Sequence, residues 1–141
     1  EAAAAVRAQT RADIEILVVD NASDTGATAR ALEGLDDPRI RVVSVIPEVF
    51  PGIEGLKPLG NPGDIVPAIL DERLIDERIP VTSADAYAMC GRLARAGFFV
   101  GLSSGAYLVG VEHVAHRGGR GRVVTIFNDL GESYFSPRLW E

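Results

Sequence analysis

Cysteine is almost absent. Cys90 is the single one in 141 residues, which excludes a disulfide framework and any metal centre built on a cysteine cluster. Lysine is equally scarce: Lys57 stands alone, so chemistry that needs a side-chain amine has one candidate. Positive charge is in deficit, with 14 Lys and Arg against 20 Asp and Glu and a net charge of −6. That argues against nucleic acid or an anionic membrane as a partner. No apolar run reaches the ~18–20 residues of a bilayer span. The opening Glu1-Ala2-Ala3 lacks the pattern of a secretory signal. What is present is ordinary: 47% hydrophobic, 24% charged, 15 Gly and 8 Pro, the usage of a globular protein. A chain of this length buries roughly 70% of its unfolded surface, enough for a core without staples. The expectation is one soluble, cytoplasmic α/β domain over residues 1–141.

Apolar periodicity organises the chain. The alanine-rich residues 2–9 read as a short helix, and Ile14 to Val19 as a β-branched buried strand. Ala27, Ala31, Leu32 and Leu35 at helical spacing predict a helix over 25–35, stopped by Asp36-Asp37-Pro38. Ile40 to Val45 reads as a second strand, so residues 1–46 contain a βαβ unit with a parallel pair. Residues 47–63 hold four prolines and four glycines and predict an ordered loop, with a domain boundary as the alternative. A short helix at 64–70 and a strand at 78–81 follow, with Pro80 favouring a sheet edge. Thr82-Ser83-Ala84-Asp85 reads as a capping box. The helix it opens runs to about Ala96, buries Ala86, Met89, Cys90 and Leu93, and ends at Gly97. Phe98-Phe99-Val100 reads as a strand, Ser103-Ser104-Gly105 as a turn, Ala106 to His116 as a helix closed by Gly118-Gly119, and Arg122 to Phe127 as the last strand. Residues 128–141 read as loop. The pattern predicts a three-layer, Rossmann-like α/β fold: a parallel sheet of four to five strands with helices on both faces.

In such a sheet ligands bind beyond the carboxyl ends of the strands. Three turns there carry polar residues. Asn21 to Thr28 leads from strand to helix. Its small residues let backbone amides approach a phosphate, with Thr25 and Thr28 as added hydroxyl donors. An ordinary helix cap by Ser23 or Asp24 reads the same segment without a ligand. Gly101-Leu102-Ser103-Ser104-Gly105 matches the Gly-x-Ser-x-Gly nucleophile elbow. However, His113 and His116 sit along the helix that Ser103 would start, out of reach of its hydroxyl, so a serine-hydrolase triad is not expected. Those histidines stand at i,i+3, a metal-ligand spacing for which no recognisable carboxylates complete a set. They and the charged run Asp71 to Arg78 read as solvated, and Cys90 as a small core hydrophobe. The third turn, Asn128 to Tyr134, reads either as a cap for a buried ligand edge or as surface loop.

Several segments in order resemble one family. They are Val42 to Glu48, Pro51 to Lys57, Ile65 to Asp71, Ala84 to Met89 with Arg92 to Arg95, Phe99 to Ala106, and Asp129 to Ser136. Over about 42–140 the chain is similar to the C-terminal part of cysteine synthase (O-acetylserine sulfhydrylase), whose pyridoxal-phosphate family also includes cystathionine β-synthase. Residues 8–45 look more like the nucleotide-binding segment of a family 2 glycosyltransferase, with Asp20 or Asn21 as the contact. The same stretch occupies the slot of the cysteine synthase phosphate cradle.

The resemblance implies a phosphate cradle at Thr25, Gly26, Ala27 and Thr28, with Ser103, Ser104, Leu130 and Gly131 lining the cofactor side. It implies pyridoxal phosphate as cofactor, a homodimer, and a parent activity of β-replacement, O-acetylserine plus sulfide giving cysteine. The departures fall on the cofactor-facing turns. The family's Schiff-base lysine and substrate loop match nothing here, and Lys57 lies in a connecting loop. Leu130 replaces the hydroxyl that meets the pyridine nitrogen, and leaving such a group unpaired costs ~1–3 kcal/mol. Asp24 and Ala27 replace cradle glycines, Asn128 a proline and Ser133 an arginine. The expectation is a partial cysteine-synthase-like domain that is not catalytically competent alone and holds no Schiff base. A nucleotide-sugar transferase fragment and a non-catalytic or chimeric structural domain are the alternatives.

Overall fold

The computed structural model describes residues 16–20, 37–48, 52–53, 55–58, 66, 70–118 and 121–135. Within them four strands form one parallel sheet: β1 (Ile16–Asp20), β2 (Ile40–Pro47), β3 (Glu77–Val81) and β4 (Arg122–Val124), in the order β3-β2-β1-β4. Two helices, α1 (Ser83–Arg95) and α2 (Leu102–His116), accompany it. The expected helices at 2–9 and 25–35 lie outside the described residues, as does most of the one at 64–70.

The sheet follows from β-branched runs. Val43 and Val45 of β2 share a face by the two-residue period of a strand, and both are fully buried. The register sets Val45 beside Ile79 and Pro47 beside Val81, so β3 continues the same apolar face. Pro80 lies in β3, an outermost strand of the described sheet, where its missing N–H leaves no ladder partner orphaned.

α1 forms as its sequence predicts. The Thr82 hydroxyl accepts the Asp85 N–H (3.1 Å) and donates to the Asp85 carboxylate (2.7 Å). Ala86, Met89, Cys90 and Leu93 make the buried stripe, and Gly97, at φ +91°, ends the helix in a conformation that side chains resist. α2 is different. Its first turns, Leu102 to Tyr107, are buried all round because the helix is sandwiched between α1 and strands β1–β3.

The proline- and glycine-rich loop is pinned near its start at two points, Glu48 and Gly52. The Glu48 carboxylate accepts the Ser83 N–H (2.6 Å), and the Ser83 hydroxyl donates to the Gly52 carbonyl (2.7 Å). Ser83, by its side chain first and its backbone N–H second, holds the Glu48 carboxyl below the ordinary glutamate range. Since the hydroxyl proton is given to Gly52, the amide bond is the persistent donor. Ile53 and Leu56 then enter the core.

Four expectations are corrected. Phe98 to Val100 is not a sheet strand: only Val100 pairs, antiparallel with Leu130, through Gly101 N–H to the Asp129 carbonyl (3.0 Å) and Gly131 N–H to the Phe99 carbonyl (3.1 Å). Ser103-Ser104-Gly105 is not a turn but the first turn of α2, which Gly101 caps. β4 ends at Val124 rather than Phe127, because residues 125–128 leave the ladder and bring Asn128 to α2. The run 71–78 is only partly a solvated face. It contains a 3-10 turn (Glu72–Leu74), the Asp76 carboxylate accepts the Val42 N–H (2.7 Å), and half-buried Glu77 takes Arg41 (3.1 Å) and Arg117. None of the described helices is long and apolar enough to cross a membrane.

Candidate functional site

The polar residues of the second and third turns converge on one carboxylate. Asp129 Oδ1 accepts the hydroxyls of Ser103 (3.2 Å) and Ser104 (3.4 Å), and Oδ2 accepts the Tyr134 hydroxyl. Ser103, Ser104 and Tyr134 are all buried. The Ser104 oxygen in turn accepts the Asn128 N–H (3.1 Å), and the Asn128 amide donates to the Tyr107 hydroxyl (2.9 Å). A negative charge at the amino end of α2 also lies where the helix macrodipole favours it.

Close approach is built in. A Cβ at Gly101 would meet Asp129 Oδ2 and Tyr134 Cε2, each at 2.4 Å. Gly55 (φ +85°) backs onto Ser103 and the Tyr134 hydroxyl, with an added Cβ 3.6 Å from the Ser103 Cβ. The loop at 52–58, the start of α2 and the turn at 128–134 therefore form one packed unit. That unit displays the edge of the turn outward: Gly131 is buried, while the Leu130 side chain is 64% exposed.

The structure thus brings together Ser103, Ser104, Leu130 and Gly131. Thr25, Gly26, Ala27 and Thr28, the other four expected site residues, lie outside the described residues. The nucleophile elbow carries no triad. Ser103 donates to a carboxylate, and His113 is ten residues further along α2, about 15 Å at helical rise. Exposed His113 instead meets the Arg117 guanidinium (2.7 Å). Among the described residues, no three His, Cys, Asp or Glu gather as metal ligands. Sequence reasoning missed Asp129 as the hub. An acid 25 and 26 residues after the serine hydroxyls it binds leaves no local pattern, and only its place in the family-like ending marks it.

Cys90 faces the same unit from α1, its thiol 3.4 Å from the Gly101 carbonyl. Burial pushes the thiol up to about 11, the Gly105 amide opposing and the Asp129 charge adding. Since the thiolate is the reactive form, Cys90 is expected to resist alkylation in the native protein at pH 8 and to react fully once unfolded. Native labelling as fast as in denaturant would show the site to be open.

No family model matches the chain. Cysteine synthase from Aquifex aeolicus is 40% identical over 119 residues, covering 80% of this chain and 36% of that protein. A probable cysteine synthase from Bacillus subtilis is 38% identical over 120 residues, covering 80% of this chain and 38% of that protein. The crystal structure of an O-acetylserine dependent cystathionine beta-synthase from Helicobacter pylori superposes with a TM-score of 0.72 at 28% identity, covering 92% of this chain and 44% of that one. The 8% left over, about eleven of 141 residues, is far less than residues 8–45, so the overlap runs into the N-terminal unit. The glycosyltransferase likeness of that segment finds no support in these matches. The chain spans well under half the length of these relatives. In sequence and fold together, it is a homologue of part of the cysteine synthase and cystathionine β-synthase family.

Proposed function

We propose that this chain is the cofactor-side portion of a cysteine-synthase-like domain, and that by itself it does not catalyse β-replacement. The observation that carries the reading is the Asp129 hub: it locks the turn at 128–134 onto the start of α2, two segments on which the family likeness rests. In this reading the segment Thr25 to Thr28 takes the phosphate of pyridoxal phosphate, and Leu130 and Gly131 face its ring. When bound in the family, that cofactor supplies the electron sink for the reaction.

The described donors do not fit a working cofactor. The Ser103 and Ser104 hydroxyl protons go to Asp129, which leaves the ring nitrogen without a donor from either. Leu130 offers only hydrocarbon. Exposed Lys57, the one lysine, lies in the connecting loop, at no position that matches a Schiff-base lysine. In this portion fold and packing are family-like, while its described residues do not supply the groups that perform the chemistry. A dimer is part of the same proposal, by analogy with the relatives.

Spectrophotometric titration of the purified chain with pyridoxal phosphate tests the reading. No imine absorption beyond that of the Lys57→Ala variant is expected, and no cysteine should form from O-acetylserine and sulfide. A visible band lost on Lys57→Ala, or cysteine made unaided, would overturn it.

A further inference from the structure

The start of α2 is helical against the preference of its own residues. Gly101 and Gly105 lose more backbone entropy than other residues, and Ser103 and Ser104 compete with helical bonding when their hydroxyls are free. Gly101, at the N-cap, brings no side chain to the unpaired amides of the first turn. What holds the turn lies far along the chain, in residues 126–135. Six hydrogen bonds cross between that segment and residues 99–107. Asp129 accepts the Ser103 and Ser104 hydroxyls and, through its carbonyl, the Gly101 N–H. Asn128 donates its N–H to Ser104 and its side-chain amide to Tyr107, and the Gly131 N–H meets the Phe99 carbonyl.

Little apolar burial backs these bonds. Within 126–135 only Gly131 and Tyr134 are buried. Ile126, Phe127, Leu130 and Phe135 leave 40–66% of their surface exposed, and the Phe98–Phe127 and Phe99–Phe135 ring contacts lie among them. Apolar burial is the dominant stabilising term of a fold, whereas a hydrogen bond that water can replace contributes little net. A segment held by polar contacts with few buried apolar ones belongs to the low-stability end of a structure. The sheet is of the opposite kind: Val43, Val45, Ile79 and Val81 are each exposed by 2% or less. The dependence is also mutual. Without 126–135 the serine hydroxyls are free to bond nearby backbone, which unwinds such a turn; without the turn they no longer face one carboxylate.

We propose that residues 126–135 are a strap that opens and closes as one unit with the first turn of α2, at a free-energy cost below that of unfolding the sheet. Open, the strap parts Leu130 and Gly131 from Ser103 and Ser104, so the described residues of the expected cofactor side come together only when it is shut. That consequence for a ligand rests on the proposed function. The opening itself requires neither cofactor nor catalysis and is read without them.

Native-state hydrogen exchange of the purified chain, followed amide by amide, tests the proposal. The N–H groups of Gly101, Gly105, Asn128 and Gly131 should share one protection factor, at least about 10-fold below that of β2. Asp129→Asn, which withdraws one acceptor oxygen, should lower all four together by roughly 10-fold. Ile79→Val removes one methylene from the buried core of the sheet, which stays folded when the strap is open. It should lower the protection of β2 several-fold and leave the four amides as they were. Four amides as protected as β2, or Gly105 unmoved by Asp129→Asn while Asn128 and Gly131 respond, overturns the proposal. So does a fall in all four with Ile79→Val, since the strap would then open only with the whole fold.

Discussion

Replacing Asp129 with alanine is expected to remove about 3–5 kcal/mol of stability, the larger of the two effects that the packed unit predicts. The carboxylate is the acceptor for three hydroxyls, those of Ser103, Ser104 and Tyr134. A buried hydroxyl left unpaired costs ~1–3 kcal/mol, and in a network the losses overlap rather than add in full. The substitution also opens a hole beneath Gly101, whose place in the chain is fitted to that carboxylate. Urea denaturation is the measurement. For a domain of this size the midpoint of thermal unfolding should fall by roughly 10 °C. Asp129→Asn, which keeps one carbonyl acceptor and the shape, should retain part of the difference. A loss under ~1 kcal/mol would mean that water satisfies the hydroxyls and that Asp129 is no hub.

Gly105→Val is expected to cost roughly 3 kcal/mol, in the upper range of overpacking. Here the reason is helix–helix approach. A Cβ at Gly105 would stand 2.5 Å from the Cys90 sulfur and 2.7 Å from the Ala86 carbonyl oxygen, both on α1. The sulfur can rotate away; a helix carbonyl cannot without moving the helix. The gain from replacing glycine within a helix, a few tenths of a kcal/mol for valine, does not offset the clash. Combining the change with Cys90→Ala should recover less than half of the loss, because the carbonyl remains. Full recovery would place the whole contact at the sulfur and release α1 from any constraint at Ala86.

These two positions also separate what was legible in the chain from what was not. β2, α1 and the edge position of β3 follow from local rules. They are a β-branched run, a Thr–Asp cap ahead of an apolar stripe, and a proline that only an edge accommodates. Each rule acts within a few residues. The first turn of α2 defeats the same rules. Gly101-Leu102-Ser103-Ser104-Gly105 carries two glycines and two serines, residues that compete with a helix when their side chains are free to bond nearby backbone. They are not free: both hydroxyls bond Asp129, and both glycines sit where another segment leaves no room for a Cβ. Phe98 to Val100 misleads in the other direction. Its apolar, strand-forming composition predicts a ladder, yet the segment has room for one bridge before Gly101 starts the next helix.

The amino-acid sequence by itself determined the parallel α/β character, the elements with strong periodicity, the kinship with cysteine synthases and the scarcity of amines that limits the chemistry. Tertiary structure alone decided where α2 begins, that Asp129 rather than a histidine receives the serine hydroxyls, and that Phe98, Phe99, Phe127 and Phe135 point outward. The reason is the range of the forces. Propensity and periodicity act between neighbours along the chain. The hub's hydrogen bonds join residues 5–26 positions apart, and the glycine contacts require α1 and α2 to be packed already.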